Sequence, residues 1–136
     1  MLLVDTGVLL AAADSTDRDH QRCAELLAEH RGDLNVVSLV VAETAWQIER
    51  NLGPRSEAAF VWLITVGELA VVDPIAGDWD RSASLIETYE TLGLGLVDAS
   101  IVAVSERLNV TTLATLNQRD FTVVRPAHCT AFELIP

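Results

Sequence analysis

Carboxylates directly after short apolar runs restrict the fold of this chain more than any other feature. Asp5 follows Leu2-Leu3-Val4, Glu43 follows Leu39-Val40-Val41-Ala42, and Asp98 follows Leu96-Val97. A carboxylate on an apolar background is expensive to bury alone. Several can be kept if the fold converges them on a divalent cation, which turns repulsion into ligation. Hard oxygen donors select Mg²⁺ or Mn²⁺, and such sites perform phosphodiester chemistry.

The hydrophobic patterning says how these positions can meet. Leu2 to Val4, Asn35 to Val37, Leu69 to Val72 and Thr111 to Ala114 read as short strands, with Phe121 to Val124 as a possible fifth. Helical stretches separate them: Gly7 to Ala13, Asp17 to Arg31, Ser38 to Leu52, a helix opened by Pro54, Asp78 to Leu92, and Asp98 to Leu108. Asn117 to Asp120 reads as one helical turn. Ser38 and Asp98 stand where N-caps belong. Strands alternating with helices predict an α/β fold with a mainly parallel sheet of about five short strands flanked by helices. In such a sheet, sites gather beyond the carboxyl ends of the strands. Asp5 and Asn117 lie there, Glu43 is in the second turn of its helix, and Asp98 opens another.

At 136 residues, half of them hydrophobic, the chain suits one domain with a real core, residues 1–136. All nine basic residues are arginine. The absence of lysine removes P-loop nucleotide sites, receiver domains and Schiff-base chemistry. A formal net charge of −11 opposes electrostatic coating of long nucleic acids. It favours a basic partner, or a local site where metal ions screen phosphates. Cys23 and Cys129 lack metal spacing and read as reduced thiols. His20, His30 and His128 fit no zinc pattern. The N-terminal apolar stretch has no basic n-region and is interrupted by Asp5, so it is a poor signal peptide. No segment approaches the roughly 18 apolar residues of a membrane span. A cytosolic protein is expected.

Four stretches together resemble PIN-domain ribonucleases, specifically the VapC-type toxins of bacterial toxin–antitoxin pairs. They are Leu3-Val4-Asp5-Thr6-Gly7-Val8-Leu9, Ser38-Leu39-Val40-Val41-Ala42-Glu43, Leu96-Val97-Asp98-Ala99-Ser100-Ile101, and Leu113-Ala114-Thr115-Leu116-Asn117-Gln118-Arg119-Asp120-Phe121. No single stretch is specific; the order of all four, spanning Met1 to about Pro126, is. The resemblance implies a PIN-like fold and RNA hydrolysis assisted by Mg²⁺ or Mn²⁺. It maps the metal-binding acids onto Asp5, Glu43 and Asp98. Where the family often has a fourth acid, this chain has Asn117; Asp120, one turn later, is the carboxylate placed to stand in. Thr6 and Thr115 are adjacent hydroxyls suited to orienting a ligand carboxylate or water.

Each position also has a structural alternative. Asp5 and Asp98 can serve as turn or cap residues, Glu43 can pair with an arginine, and Asn117 with Asp120 has the spacing of a reciprocal cap. Asp5-Thr6-Gly7 is also the aspartic-protease motif, but those domains are almost all strand. A binding module with a decayed site and a nuclease acting on DNA remain the competing functions. The resemblance further implies a cognate antitoxin, and a homodimer is also expected. The apolar run Ala58 to Ile64 belongs either to the core or to an interface. With Trp46, it points to the Ser38–Gly67 helices as the surface for those partners.

Overall fold

The computed structural model describes all residues, Met1–Pro136. Five strands form one sheet: β1 (Leu2–Val4), β2 (Leu34–Val37), β3 (Ala70–Val72), β4 (Thr112–Ala114) and β5 (Glu133–Ile135). Their order is β3-β2-β1-β4-β5, and every neighbouring pair is parallel. Seven α-helices flank them: α1 (Thr6–Ala13), α2 (His20–Glu29), α3 (Ser38–Leu52), α4 (Pro54–Thr65), α5 (Ala76–Thr88), α6 (Leu96–Leu108) and α7 (Gln118–Val123). No helix is long and apolar enough to cross a membrane. The expected PIN-like α/β architecture is present.

The central strands are apolar without alternation because helices cover both faces of a parallel sheet. Leu2, Leu3 and Val4 of β1 are all buried, as are Leu113 and Ala114 of β4. They belong to a core cluster of 27 residues that also takes Val40 and Ile48 from α3 and Ile101, Val102 and Val104 from α6. Gly53 (φ 91°) permits the sharp reversal between α3 and α4, and Pro54 starts α4 as expected.

Four local expectations are corrected. The segment Phe121 to Val124 is not a strand. Phe121 to Val123 continue α7, because Asn117 caps a helix and Phe121 turns inward against Phe132, ring edge to face at 6.3 Å. The fifth strand is instead Glu133–Ile135, pairing with β4. Ser38 is the first helical residue rather than the cap, a place taken by Val37. Asp98 is the third residue of α6; the cap is Gly95, and the helix starts at Leu96. Helix α5 ends at Thr88, and a 3₁₀ turn over Glu90–Leu92 completes the way to Gly93.

Sheet order reverses direction at β1, whose neighbours are β2 on one side and β4 on the other. The crevice beyond the carboxyl ends of β1 and β4 is therefore the topological switch point, where parallel sheets bind ligands. Phe121 holds the β4–α7–β5 segment that walls one side of it. Phe121→Ala should cost about 3–5 kcal/mol in urea unfolding, through transfer loss and an unfilled cavity.

Candidate functional site

The residues at the switch point are held by neutral donors. Asp5 leaves β1 and caps α1, its Oδ1 accepting from the Thr6 N–H at 2.7 Å. Its Oδ2 accepts from the Thr115 hydroxyl at 2.7 Å. Thr115, just past β4, in turn accepts from the Asn117 N–H at 3.0 Å. Across the crevice the Thr6 hydroxyl donates to Glu43 Oε2 at 2.5 Å. Asn117 Nδ2 donates both to Asp98 Oδ2 at 3.1 Å and to Asp120 Oδ2 at 3.0 Å. Its Oδ1 accepts from the Asp120 N–H at 3.4 Å. The fold thus brings all seven sequence-selected residues, Asp5, Thr6, Glu43, Asp98, Thr115, Asn117 and Asp120, into one hydrogen-bonded cluster. Asn117 caps α7 and also donates to two of the carboxylates, so the cap does not withdraw it from the cluster.

Each threonine hydroxyl serves one carboxylate, and the Asn117 amide serves two. None of the three carboxylates Asp5, Glu43 and Asp98 has an arginine partner, since the salt bridges all lie elsewhere. The salt-bridge alternative for Glu43 is therefore not realised. Only Asp120 is paired with a cation, Arg119 at 2.9 Å. Nothing in the sequence distinguished Arg119 from any other solvated arginine; its place at the edge of the cluster follows from the α7 cap.

Charge accumulates accordingly. Burial raises the Asp5 carboxyl above its ordinary value, against the opposing Thr115 and Thr6 hydrogen bonds, and Glu43 adds to the rise. Burial, then the charges of Asp5, Asp120 and Glu43, push Asp98 from 3.8 to about 7. Asp120 is lowered, chiefly by the Asn117 hydrogen bond and also by Arg119. Asp98 is thus the carboxylate on which the repulsion of the other three converges.

As the side chains stand, no three of the acids are arranged around one point so as to hold an ion. The donor set still fits a hard cation: carboxylate oxygens, hydroxyls and an amide, with no thiol or imidazole in the cluster. The repulsion at Asp98 is what a divalent charge would relieve. Two concavities, of about 600 and 410 Å³, are lined by other residues.

A parallel α/β sheet with an acidic cluster at its switch point defines the class of protein. The PIN domain family model matches residues 2–125, and the chain belongs to that family. Ribonuclease VapC26 of Mycobacterium tuberculosis is 27% identical to it over 135 residues, covering 99% of this chain and 100% of the relative. The fold is shared with the crystal structure of M. tuberculosis VapC20, a sarcin–ricin loop cleaving toxin. The TM-score is 0.77 at 18% identity, covering 83% of this chain and 87% of that one. It is shared also with VapBC2 of Rickettsia felis bound to a promoter DNA fragment. That match has a TM-score of 0.68 at 20% identity and covers 98% and 96% of the two chains.

The raised Asp98 fixes the sign of a pH effect. Between its ordinary value of 3.8 and about 7 the folded state holds a proton that the unfolded state has released. Stability of the metal-free protein should therefore fall as pH rises through this window and level off above it. Asp98→Asn should flatten the slope and stabilise the metal-free protein at pH 8 by roughly 1–2 kcal/mol, a figure discounted for partial exposure. Urea unfolding in EDTA across the window checks this.

Proposed function

We propose that this chain is a Mg²⁺- or Mn²⁺-dependent endoribonuclease toxin, held in check by a cognate antitoxin. The observation that carries the reading is the convergence of Asp5, Glu43 and Asp98 at the switch point without a cationic side chain. The likeness to ribonuclease VapC26 supports RNA as substrate, and the VapBC2 complex supports an antitoxin partner.

Asp5, Glu43 and Asp98 would hold the cation. When bound, it polarises the scissile phosphate and makes water a better nucleophile at neutral pH. Thr6 and Thr115 fix the rotamers of Glu43 and Asp5 by donating their hydroxyl protons. With those protons committed, neither threonine is the nucleophile, and attack on phosphorus falls to water. Asn117 replaces the family's fourth acid and spaces Asp98 from Asp120; Asp120, already paired with Arg119, is the less available ligand.

The proposed partner surfaces lie partly on the Ser38–Gly67 helices. Phe60, on the apolar run of α4, is buried, whereas Val61 and Trp62 on its outer face, and Val66 just past its end, are exposed. An apolar groove of about 410 Å³ opens between α1, α2 and α4, lined among others by Leu9, Leu27, Ala59, Phe60 and Leu63. This groove suits the apolar face of an antitoxin helix. The outer face of α4, with Trp62 62% exposed, suits a second copy of the chain.

Five outcomes test the proposal. Purified protein with total RNA and Mg²⁺ should give discrete fragments with 5′-phosphate and 3′-hydroxyl ends. EDTA should abolish cleavage, and Asp5→Asn should lower it roughly a hundredfold while keeping the α1 cap. Full activity in EDTA, or 2′,3′-cyclic phosphate ends, would contradict metal-assisted hydrolysis. For the partners, Ala59→Glu should weaken binding of the antitoxin encoded beside this chain by about tenfold without unfolding it, because Ala59 is exposed on the groove rim. Trp62→Glu should shift sedimentation of the free protein from dimer to monomer. Unchanged values would assign these faces no partner.

A further inference from the structure

Helix α3 carries more than Glu43 toward solvent. Positions 43, 46 and 50 fall on one side of the helix, separated by three and four residues, so neighbouring side chains along the stripe stand about 5–6 Å apart at Cβ. Trp46 is 58% exposed, unlike a residue placed for packing. The Arg50 guanidinium lies over its ring, 5.3 Å from the centroid. Side chains on a helix lean toward its N-terminus, so Trp46 leans toward the turn that holds Ala42 and Glu43. The stripe thus runs out from the carboxylate cluster for about 10 Å along α3.

The lack of an acidic partner for Arg50 is as telling as its position. Six of the nine arginines, Arg18, Arg22, Arg31, Arg81, Arg107 and Arg119, are in salt bridges. Of the other three, Arg125 is tied to the Thr122 carbonyl. Arg50 and Arg55, on either side of the α3–α4 turn, have no carboxylate partner in a chain of net charge −11. An uncommitted guanidinium stacked on an exposed indole, continuous with an acidic phosphodiester site, matches a stretch of single-stranded nucleic acid. The ring offers a face to a base and the guanidinium offers donors to the adjoining phosphate.

We propose that Trp46 and Arg50 form a nucleotide subsite that holds single-stranded RNA beside the scissile phosphate. The base stacks on Trp46 and the phosphate pairs with Arg50. This rests on the ribonuclease reading and adds to it the residues that grip substrate outside the carboxylate cluster. Neither residue ligates the cation or touches the reacting atoms; both act on binding.

The test uses a fluorescein-labelled single-stranded RNA of mixed sequence, about twelve nucleotides long, titrated against the Asp5→Asn protein so that it is not cut. Trp46→Leu should raise Kd about tenfold, whereas Trp46→Phe, which keeps a π-face, should stay within about threefold. Arg50→Gln should raise Kd and reduce the slope of log K against log salt by about 0.7. In otherwise wild-type protein, the Trp46→Leu and Arg50→Gln changes should raise KM with kcat nearly unchanged. Unaltered Kd and salt slope in folded Trp46→Leu and Arg50→Gln proteins would overturn the subsite. So would a change confined to sedimentation, which would give this face to a second copy. RNA bound with these variant effects but never cut would sink the ribonuclease reading and leave the subsite standing. Cleavage insensitive to both variants would do the reverse.

Discussion

Mutual repulsion among carboxylates at the end of a parallel sheet is the constraint on which the rest of this structure depends. Asp5, Glu43 and Asp98 are drawn together by elements that have their own reasons to pack. What faces them is a set of hydroxyls and one amide rather than arginine. Neutral donors orient the acids without cancelling their charge, and the cost shows at Asp98, pushed up to about 7. A fold seeking stability alone would have placed one of its nine arginines here. Six of them are instead engaged with acids elsewhere.

The scaffold makes this arrangement affordable through backbone geometry. Asp5 sits where β1 becomes α1, so its charge faces the positive end of that helix and accepts from the Thr6 N–H. Asp98 is in the first turn of α6, again at the favourable end of a helix dipole. Glu43 is held in the second turn of α3 by a hydroxyl from the opposite wall. The Thr115 hydroxyl links the β4 end to Asp5 and receives the Asn117 N–H. A single layer of hydrogen bonds therefore couples β1, β4, α1, α3 and α7 around the crevice.

Most of this was legible because the site residues interrupt apolar runs. An acid after Leu-Leu-Val or Val-Val-Ala has no simple packing explanation, and strand–helix alternation says which end of the sheet it reaches. The misreadings have local physical causes. Phe121 to Val124 has strand composition, but the Asn117 cap and the Phe121–Phe132 contact, set by tertiary packing, make its first three residues helical. Glu133–Ile135 is only three residues long and gains its identity from pairing with β4. Ser38 and Asp98 carry good cap side chains, yet each helix begins earlier than those side chains suggest. The run Ala58 to Ile64 gave no face by composition; the structure divides it, burying Phe60 and exposing Val61, Trp62 and Leu63. The stacking of Arg50 on Trp46 uses ordinary helix spacing, which a linear reading has no reason to single out.

The central claim is that the acidic cluster is built to bind a divalent cation that discharges its repulsion. Calorimetric titration of the EDTA-treated, dialysed protein with Mn²⁺ at pH 6.5, repeated in buffers of different ionisation enthalpy, tests it directly. The account predicts one saturable binding event accompanied by proton release, since Asp98 must ionise to ligate, with release lost in Asp98→Asn. No binding, or binding that releases no proton and survives both Asp5→Asn and Asp98→Asn, would contradict it.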